Sequence, residues 1–382
     1  MNQTLQDHLT ALRALPALLP RLLADIEPRA RLVLSTPQLY GIRQIILTGC
    51  GDSYIAALAA ASAWRVWTGL PVYALKAMDA GRYLTVGLVK PSDRLRGTLV
   101  IGVSHSGEAA RAVEALQKTS AAGALTLALT ARRESRLAQT ATVTLPIDCA
   151  DAGNMPGTAS YYASLVGLYL LGIRVAEVRM TLSMNAAAVL RQTLADLQPA
   201  VASSIELSEE PLRAAVRSWG AFHTADILGS GPGAASAAYA AAKLIEAAGV
   251  QANPQDIEEF FHLNYFVSQP ARIPTVVYAS ARSAGTSRAR ELLRTLLEIG
   301  RPSLLITDDA SFGPADRMVT LPTVPELLSP LVSLAPAAVL AASWADHIGA
   351  DYFRGHRGLW QSSRGGALIR DSVIEGPAES VA

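Results

Sequence analysis

Cysteine is nearly absent from this chain of 382 residues, and charge is scarce. The two cysteines, Cys50 and Cys149, are too few for a disulfide framework or a metal site built from thiolates. Charged residues make up 17% of the sequence and the formal net charge is +1, which argues against nucleic acid or an anionic membrane as the main partner. Histidines and acidic residues form no cluster with metal-ligand spacing, so the sequence predicts no metal and no other cofactor.

Segments for export or membrane insertion are also lacking. Residues 1–16 have neither the basic nor the apolar part of a signal peptide. The most apolar window, residues 327–345, carries no charge but contains Pro330 and Pro336, so a buried helix is favoured over a membrane span. We therefore expect a cytoplasmic protein that does not act at a membrane.

What the chain does have is an internal repeat. LTGCGDS at 47–53 matches ILGSGPG at 227–233. VIGVSHSGEAARAVEAL at 100–116 matches VVYASARSAGTSRARELL at 276–293. Both pairs are separated by about 180 positions, in the same order along the chain. The sequence therefore predicts a duplicated domain.

Each copy alternates short β-rich runs with helical patterns rich in alanine and leucine. This alternation is typical of an α/β fold in which a parallel sheet is covered by helices on both faces, a flavodoxin-like three-layer sandwich. The predicted organisation is an N-terminal helical segment (1–37), a first domain (38–183), a connecting helix (184–207), a second domain (208–350) and a C-terminal tail (351–382).

The stretch GVSHSG at 102–107 predicts an anion site in the first copy. A strand that ends in such a turn and leads into a helix aims backbone N–H groups, hydroxyls and the helix N-terminus at one point. No lysine or arginine is needed, which indicates a phosphate monoester on a small metabolite. GCGDSY at 49–54 is a second turn of this kind, and both fall where ligands of parallel sheets bind.

The second copy lacks the compact turn. It has SARSAG at 280–285, and GSGPGA at 229–234 places Pro232 in the other loop. We therefore expect one phosphate site per chain, in the first copy.

These motifs resemble those of the tandem sugar isomerase (SIS) domain family, which includes the isomerase half of glucosamine-6-phosphate synthase and the fructosamine-6-phosphate deglycases. GCGDS corresponds to a GCGTS-like turn and SHSGEA to an SQSGET-like turn. KLIE ends in Glu246 and EFFH in His262, sixteen residues later, as in the family. The resemblance covers roughly residues 38–350.

The resemblance implies roles for particular residues. Glu246 would move a proton between neighbouring sugar carbons, and His262 would assist ring opening or protonate a leaving group. Family members tend to take this histidine from the partner chain, which implies a homodimer in which His262 acts in trans. The implied phosphate- and sugar-binding residues are Gly51, Ser53, Ser104, His105, Ser106, Thr158 and Ser160.

Structural roles for the two catalytic candidates stay open at this point. An isolated glutamate in an alanine-rich helix is commonly solvated or paired with a lysine three residues away, here Lys243. His262 follows Phe260 and Phe261 and could be a packed histidine.

The sequence departs from the family pattern in both turns, in the tail and at position 2. Ala109 stands where the second turn ends in a hydroxyl, His105 replaces glutamine and Asp52 replaces threonine. The synthase forms a Schiff base through a lysine in its tail, whereas this chain has no lysine beyond Lys243 and offers Arg370 and Asp371 in ALIRDSVIE. Position 2 is asparagine rather than cysteine, so we expect no glutaminase activity.

Three functions remain. The favoured one is a deglycase or deaminase of a ketosamine phosphate or amino-sugar phosphate, because arginine cannot form the imine and the nitrogen would already be on the substrate. An aldose–ketose isomerase of sugar phosphates needs the same base. A non-catalytic sensor of sugar phosphates is the third.

Overall fold

The computed structural model describes residues 3–84, 94–149, 157–220, 222–350 and 367–376. These residues fall into two compact units. The first unit contains 18–84, 94–149, 159–195 and 367–376. The second contains 3–17, 157–158, 196–220 and 222–350.

The helices and strands alternate along both repeats. The helices are α1 (Gln3–Arg13), α2 (Leu15–Leu32), α3 (Thr36–Gly41), α4 (Asp52–Thr68), α5 (Ala110–Ala121), α6 (Arg136–Thr140), α7 (Thr158–Val178), α8 (Met184–Ala195), α9 (Gln198–Trp219), α10 (Pro232–Ala248), α11 (Ile257–His262), α12 (Thr286–Glu298), α13 (Pro330–His347) and α14 (Ala367–Arg370). The strands are β1 (Gln44–Gly49), β2 (Val72–Lys76), β3 (Thr98–Val103), β4 (Leu125–Thr130), β5 (Val143–Pro146), β6 (Thr224–Gly229), β7 (Gln251–Gln255), β8 (Thr275–Tyr278), β9 (Ser303–Thr307) and β10 (Arg317–Thr320).

A five-stranded parallel sheet forms the centre of the first unit. Its strand order is β2-β1-β3-β4-β5. The sequence TLVIGV of β3 is buried along its whole length, because a central parallel strand is covered by helices on both faces and needs a continuous apolar run. Helix α4 packs against β1 and β2, and α5 packs against β3.

The second unit repeats this topology. Its sheet is also parallel and has the order β7-β6-β8-β9-β10, which is the same pattern counted from β6. Helix α13 packs against α9 and α10. The two sheets confirm the predicted α/β fold with tandem domains.

The apolar window at 327–345 lies mostly in α13, whose residues Pro330 to Ala345 are all buried, so the preference for a buried helix is confirmed. Among the described residues, one helix is long and apolar enough to cross a membrane, namely Thr158–Val178. Its apolar window is 83% buried inside the fold, as in the core helix of a globular protein.

The ends of the two units differ from the predicted boundaries. Residues 184–207 form two helices, because Pro199 in the first turn of α9 lacks the N–H that would continue α8. Helix α8 belongs to the first unit, and α9 belongs to the second. The N-terminal segment divides as well, since α1 packs against α13 of the second unit.

Helix α1 carries a buried histidine that makes the stability of the protein depend on pH. His8 is 1% exposed, and burial, with the charge of Lys243, lowers its pKa from 6.5 to about 4. Protons therefore bind the unfolded chain first as the pH falls. The neutral, buried His8 costs the fold nothing above pH 6.5, where the histidine of the unfolded chain is neutral too. Between pH 6.5 and about pH 4, protonation of the unfolded chain progressively lowers the free energy of unfolding.

We predict that the wild-type protein loses about 2 kcal/mol more unfolding free energy between pH 7 and pH 5 than His8→Gln does. Urea denaturation at both pH values measures this difference. Equal losses in the two proteins would show that His8 is not held neutral by the fold.

Candidate functional site

The two serine-rich turns of the first unit leave the same edge of the sheet. Strands β1 and β3 are neighbours, and their last residues, Gly49 and Val103, are paired in the register. The approach is close, since a Cβ on Gly49 would lie 2.9 Å from the Val103 carbonyl oxygen and 2.9 Å from Ser53 Cβ. The segments that follow, with Ser53 in the first turn of α4 and Ser104 in the other loop, therefore begin side by side at the carboxyl end of the sheet.

The first turn depends on Gly51. Its backbone has φ 52° and ψ −129°, a conformation that is strongly disfavoured for residues other than glycine. The turn is closed by a hydrogen bond from the Ser53 N–H to the Cys50 carbonyl, 3.1 Å. Gly51 is also the N-cap of α4, and no side chain caps that helix. The helix N-terminus therefore offers backbone donors and partial positive charge at the turn.

The second turn is fixed by its own backbone and by β4. The Gly107 N–H donates to the Ser104 carbonyl, 3.0 Å, and the Ala131 N–H donates to the His105 carbonyl, 3.0 Å. Ser104 is buried, whereas Ser106 is exposed and its Oγ accepts from the Glu108 N–H, 3.3 Å. The two serines thus occupy different depths of one rigid turn.

Gly107 has no space for a side chain. Its φ is +68°, and a Cβ there would lie 2.0 Å from Ser135 Oγ and 2.8 Å from Thr130 Oγ1. Helix α5 begins just beyond, and its N-cap, Ala109, provides no capping side chain. The missing hydroxyl that the sequence indicated therefore leaves the N-terminus of α5 uncapped.

The histidine of the turn lies near a cysteine that sequence reasoning did not connect with it. His105 Nδ1 is 3.8 Å from the sulfur of the buried Cys149. The other cysteine, Cys50, lies in the first turn, and burial raises the pKa of its thiol despite the opposing charge of Arg111. A raised pKa keeps this thiol protonated and unreactive.

The C-terminal segment is tied to the second turn through Arg136. The Arg136 Nη2 donates to the carbonyl of Glu108, 2.6 Å, and to the carbonyl of Arg370, 2.7 Å. Arg136 Nε also donates to Glu108 Oε2, 2.8 Å. Burial raises the pKa of Glu108, but the hydrogen bonds and charge of Arg136 outweigh it and hold that pKa below its ordinary value. Arg370 and Asp371, the tail candidates, are exposed.

A second anchor holds the end of the same segment. Glu375 Oε1 is 2.9 Å from Arg82 Nη1, and its N–H donates to Glu114 Oε1, 3.2 Å. Glu114 is buried, and Arg82 and Arg111 lower its pKa against the effect of burial. Arg111, Glu114 and Lys118 stand three and four positions apart on α5, a spacing that predicts helix pairs but does not identify the tail as their partner.

The catalytic candidates lie in the second unit. Glu246 is on α10 with 46% of its side chain exposed, and Lys243 Nζ is 2.7 Å from its Oε2. The lysine pair that the sequence left open is therefore present. His262 ends α11 with 64% of its side chain exposed and is not packed in the core. Its Nε2 is 3.2 Å from Glu258 Oε1, and Arg288 Nε donates to the same carboxylate.

Thr158 and Ser160 lie at the start of a helix. Thr158 is the first residue of α7 and is buried, and Ser160 follows within the first turn of that helix. The Ser160 carbonyl accepts from Ser164 Oγ, 2.7 Å. The two residues fall in different units, Thr158 in the second and Ser160 in the first.

Comparison with known proteins connects this geometry with a family. Residues 38–174 match the SIS domain. Over these residues the chain is similar to that family. The glutamine–fructose-6-phosphate aminotransferase of Mycobacterium bovis is 28% identical over 324 residues, covering 83% of this chain and 50% of that protein. The chain thus spans about half the length of the curated relatives it matches.

Solved structures share the fold of most of the chain. The C-terminal domain of glucosamine-fructose-6-phosphate aminotransferase from Francisella tularensis matches with a TM-score of 0.80 and 18% identity, covering 91% of this chain and 97% of that one. Glucosamine-6-phosphate deaminase from Thermotoga maritima matches with a TM-score of 0.65 and 15% identity, covering 88% and 96%. Both likenesses concern the fold, and they include the second unit as well as the SIS domain.

The two serines of the SIS-domain turn provide a direct test of phosphate binding. We predict that Ser104→Ala combined with Ser106→Ala weakens binding of hexose 6-phosphates at least tenfold, because a hydrogen bond to a charged group contributes about 1.5–3 kcal/mol. Isothermal titration calorimetry measures the change, with Ser120→Ala on the exposed end of α5 as the control. Unchanged affinity in the double variant would contradict phosphate binding at this turn.

Proposed function

We propose that the chain is an enzyme that processes a phosphorylated ketosamine or amino sugar, as a deglycase or deaminase. The observation that carries this proposal is the pair of turns at 50–53 and 104–107. They stand side by side at the carboxyl end of one sheet, each leading into a helix without a capping side chain. Such an arrangement favours a phosphate group without a lysine or arginine in either turn.

The names of the relatives agree with chemistry on amino-sugar phosphates. The curated relatives are named for transferring an amino group to fructose 6-phosphate, and the Thermotoga maritima neighbour is named for deaminating glucosamine 6-phosphate. Both names describe nitrogen chemistry on a hexose 6-phosphate. We carry this substrate class to the present chain as part of the proposal.

Glu246 is the base in the proposed reaction. With the phosphate held by the turns, its carboxylate removes the proton from the nitrogen-bearing sugar carbon next to the carbonyl carbon, which gives an enaminol. The 2.7 Å contact with Lys243, whose side chain is 1% exposed, fixes the position of the carboxylate. The enaminol is reprotonated at the neighbouring carbon, water adds to the resulting imine, and the carbon–nitrogen bond breaks to give sugar phosphate and free amine.

His262 is the proton donor in this scheme. It assists opening of the sugar ring and protonates the departing amine. Its contact with Glu258 orients the imidazole, since a carboxylate fixes which ring nitrogen carries the proton. Positioned acid–base groups of this kind contribute about 10²–10⁴-fold to a rate.

The tail favours a substrate that brings its own nitrogen. Arg370 and Asp371 stand in the segment that is tied to the second turn through Arg136. Neither side chain can form an imine with a ketose, and arginine remains protonated. In the proposed reaction the amine is therefore already on the substrate, and no lysine has to capture the sugar.

We also propose that the enzyme is a homodimer in which His262 serves the partner's site. The residues after His262 form an exposed apolar patch, with Leu263 59% and Phe266 71% exposed. Contiguous apolar surface of this kind is characteristic of protein interfaces. Light scattering that gave the mass of a single chain at micromolar concentration would contradict the dimer.

We predict that Glu246→Gln lowers turnover of a 6-phosphorylated fructosamine about 10²–10⁴-fold, because glutamine keeps the shape but cannot accept the proton. Its affinity for the substrate should change little. Release of free amine measures turnover, and Glu206→Gln on α9 is the control for loss of one exposed carboxylate. Full turnover in the Glu246 variant would disprove the mechanism.

The wild-type protein separates the alternatives in the same assay. Interconversion of hexose phosphates without amine release would identify an isomerase that uses the same base. Tight binding of sugar phosphates without any turnover would identify a sensor.

A further inference from the structure

The second unit contains a half-open pocket at the carboxyl ends of β6, β8 and β9. Its volume is about 70 Å³, several times the roughly 10–15 Å³ that one water needs. It lies where the SIS domain of the first unit has its two turns, and Ser230 and Ser280 of the corresponding loops line it. The pocket is therefore the counterpart of the proposed phosphate site, in the copy whose turn the sequence marked as altered.

The loop donors of this pocket are already paired with carboxylates. Ser230 Oγ donates to Asp256 Oδ2, 2.7 Å, and Ser280 Oγ donates to Asp308 Oδ2, 2.9 Å. The N–H of Ala281 donates to the other oxygen of Asp308, 2.8 Å. Groups that would otherwise hold a phosphate thus hold internal anions.

The first unit has no carboxylate at the matching position. Thr130 ends β4 and is followed by Ala131, whereas Thr307 ends β9 and is followed by Asp308. The Ala131 N–H donates to the carbonyl of His105 and leaves the hydroxyls of the turn without an acidic neighbour from this loop. One residue after the fourth strand therefore adds a negative charge beside the loop hydroxyls of the second copy.

The other charged residues of the lining also disfavour a phosphate. Asp308 and Glu326 both line the pocket, and among its described lining residues there is no lysine or arginine. Two carboxylates repel a phosphate dianion in a partly enclosed site. A neutral or cationic ligand meets no such barrier.

Two residues of the lining carry a buried hydroxyl that finds no hydrogen-bond partner among the residues the structure describes. Tyr278 and Thr307 are 4% and 3% exposed, and neither Oη nor Oγ1 finds a partner in the described part of the chain. Burial raises the pKa of Tyr278, so that hydroxyl stays neutral and can donate. Unpaired polar groups beside a cavity favour a ligand with hydroxyl groups of its own.

The remaining walls are apolar and include Ile257, Leu321 and Val324. A sugar ring has C–H faces that pack on apolar side chains and a rim of hydroxyls that hydrogen-bond. We propose that this pocket binds one edge of a monosaccharide without phosphate, and that an amine-bearing sugar binds more tightly than a neutral one because Glu326 and Asp308 are acidic. This site is separate from the proposed catalytic one and does not depend on it.

Calorimetry with the full chain tests the proposal, with glucosamine, glucose and glucosamine 6-phosphate as probes, at a pH where the amine is protonated. In the Ser104→Ala and Ser106→Ala background, glucosamine should bind, glucose should bind more weakly, and the phosphorylated sugar should show only the weakened binding of the first unit, which Glu326→Gln leaves unchanged. Glu326→Gln should weaken glucosamine binding about tenfold and glucose binding less, since a charge-assisted hydrogen bond is lost. Glu298→Gln, at the exposed end of α12, is the matched control and should change neither affinity.

A second variant keeps the test independent of Glu326. Val324→Phe adds bulk to a half-buried position of the lining and should abolish binding of both unphosphorylated sugars. The proposal is overturned if neither sugar binds the wild-type chain, if binding survives in both pocket variants, or if the phosphorylated sugar binds this pocket as tightly as glucosamine. Loss of glucosamine binding in the Ser104 and Ser106 background would assign the sugar to the first unit instead, which also overturns it.

Discussion

The left-handed backbone of Gly107 is the constraint on which the proposed phosphate site depends. Only glycine adopts φ +68° here without strain, and only glycine fits against Ser135 and Thr130. Because Gly107 allows this approach, its carbonyl accepts from the Leu137 N–H, 3.0 Å, and Ser135 caps α6. Helix α6 then places Arg136 against Glu108, and Arg136 in turn holds the C-terminal segment at Arg370. A single backbone position thus connects the turn, a short helix and the tail.

The two copies keep the same backbone and differ in what their side chains offer a ligand. Gly51 and Gly231 cap corresponding helices with nearly the same dihedral angles, φ 52° and 58°. Both sheets also have the same strand order. In the second copy, however, the loop hydroxyls donate hydrogen bonds to Asp256 and Asp308. Duplication with later change of a few loop residues accounts for one unit suited to an anion and one that repels it.

Local sequence patterns predicted the parts of the fold that depend on local physics. The alternation of strands and helices predicted two parallel sheets, and the Ser-x-Ser-Gly pattern predicted a turn between β3 and α5. The break between α8 and α9 was missed, since an alanine-rich pattern continues across it and only Pro199 marks the new start. Proline in the first turn of a helix is a recognisable signal that could have placed this boundary.

Contacts between residues far apart in the chain could not be predicted. The charge of Lys243, more than two hundred positions away in the sequence, lowers the pKa of His8. Glu375 likewise contacts Arg82 and Glu114, which are far from it in the sequence. Periodicity shows that such residues lie on helices and gives no information on which distant element faces them. The pairing of Lys243 with Glu246 was different, since a spacing of three on a helix brings the two together locally.

We infer that one copy binds a phosphate monoester and the other does not. Backbone amide NMR of the full chain, titrated with a hexose 6-phosphate, tests it residue by residue. We predict shifts of the amide resonances of Ser53, Ser106 and Gly107 that saturate together. The amide resonances of Arg282, Ser283 and Gly285 in the second copy should keep their positions. Shifts centred on the second copy, or none in either turn at saturating sugar phosphate, would contradict it.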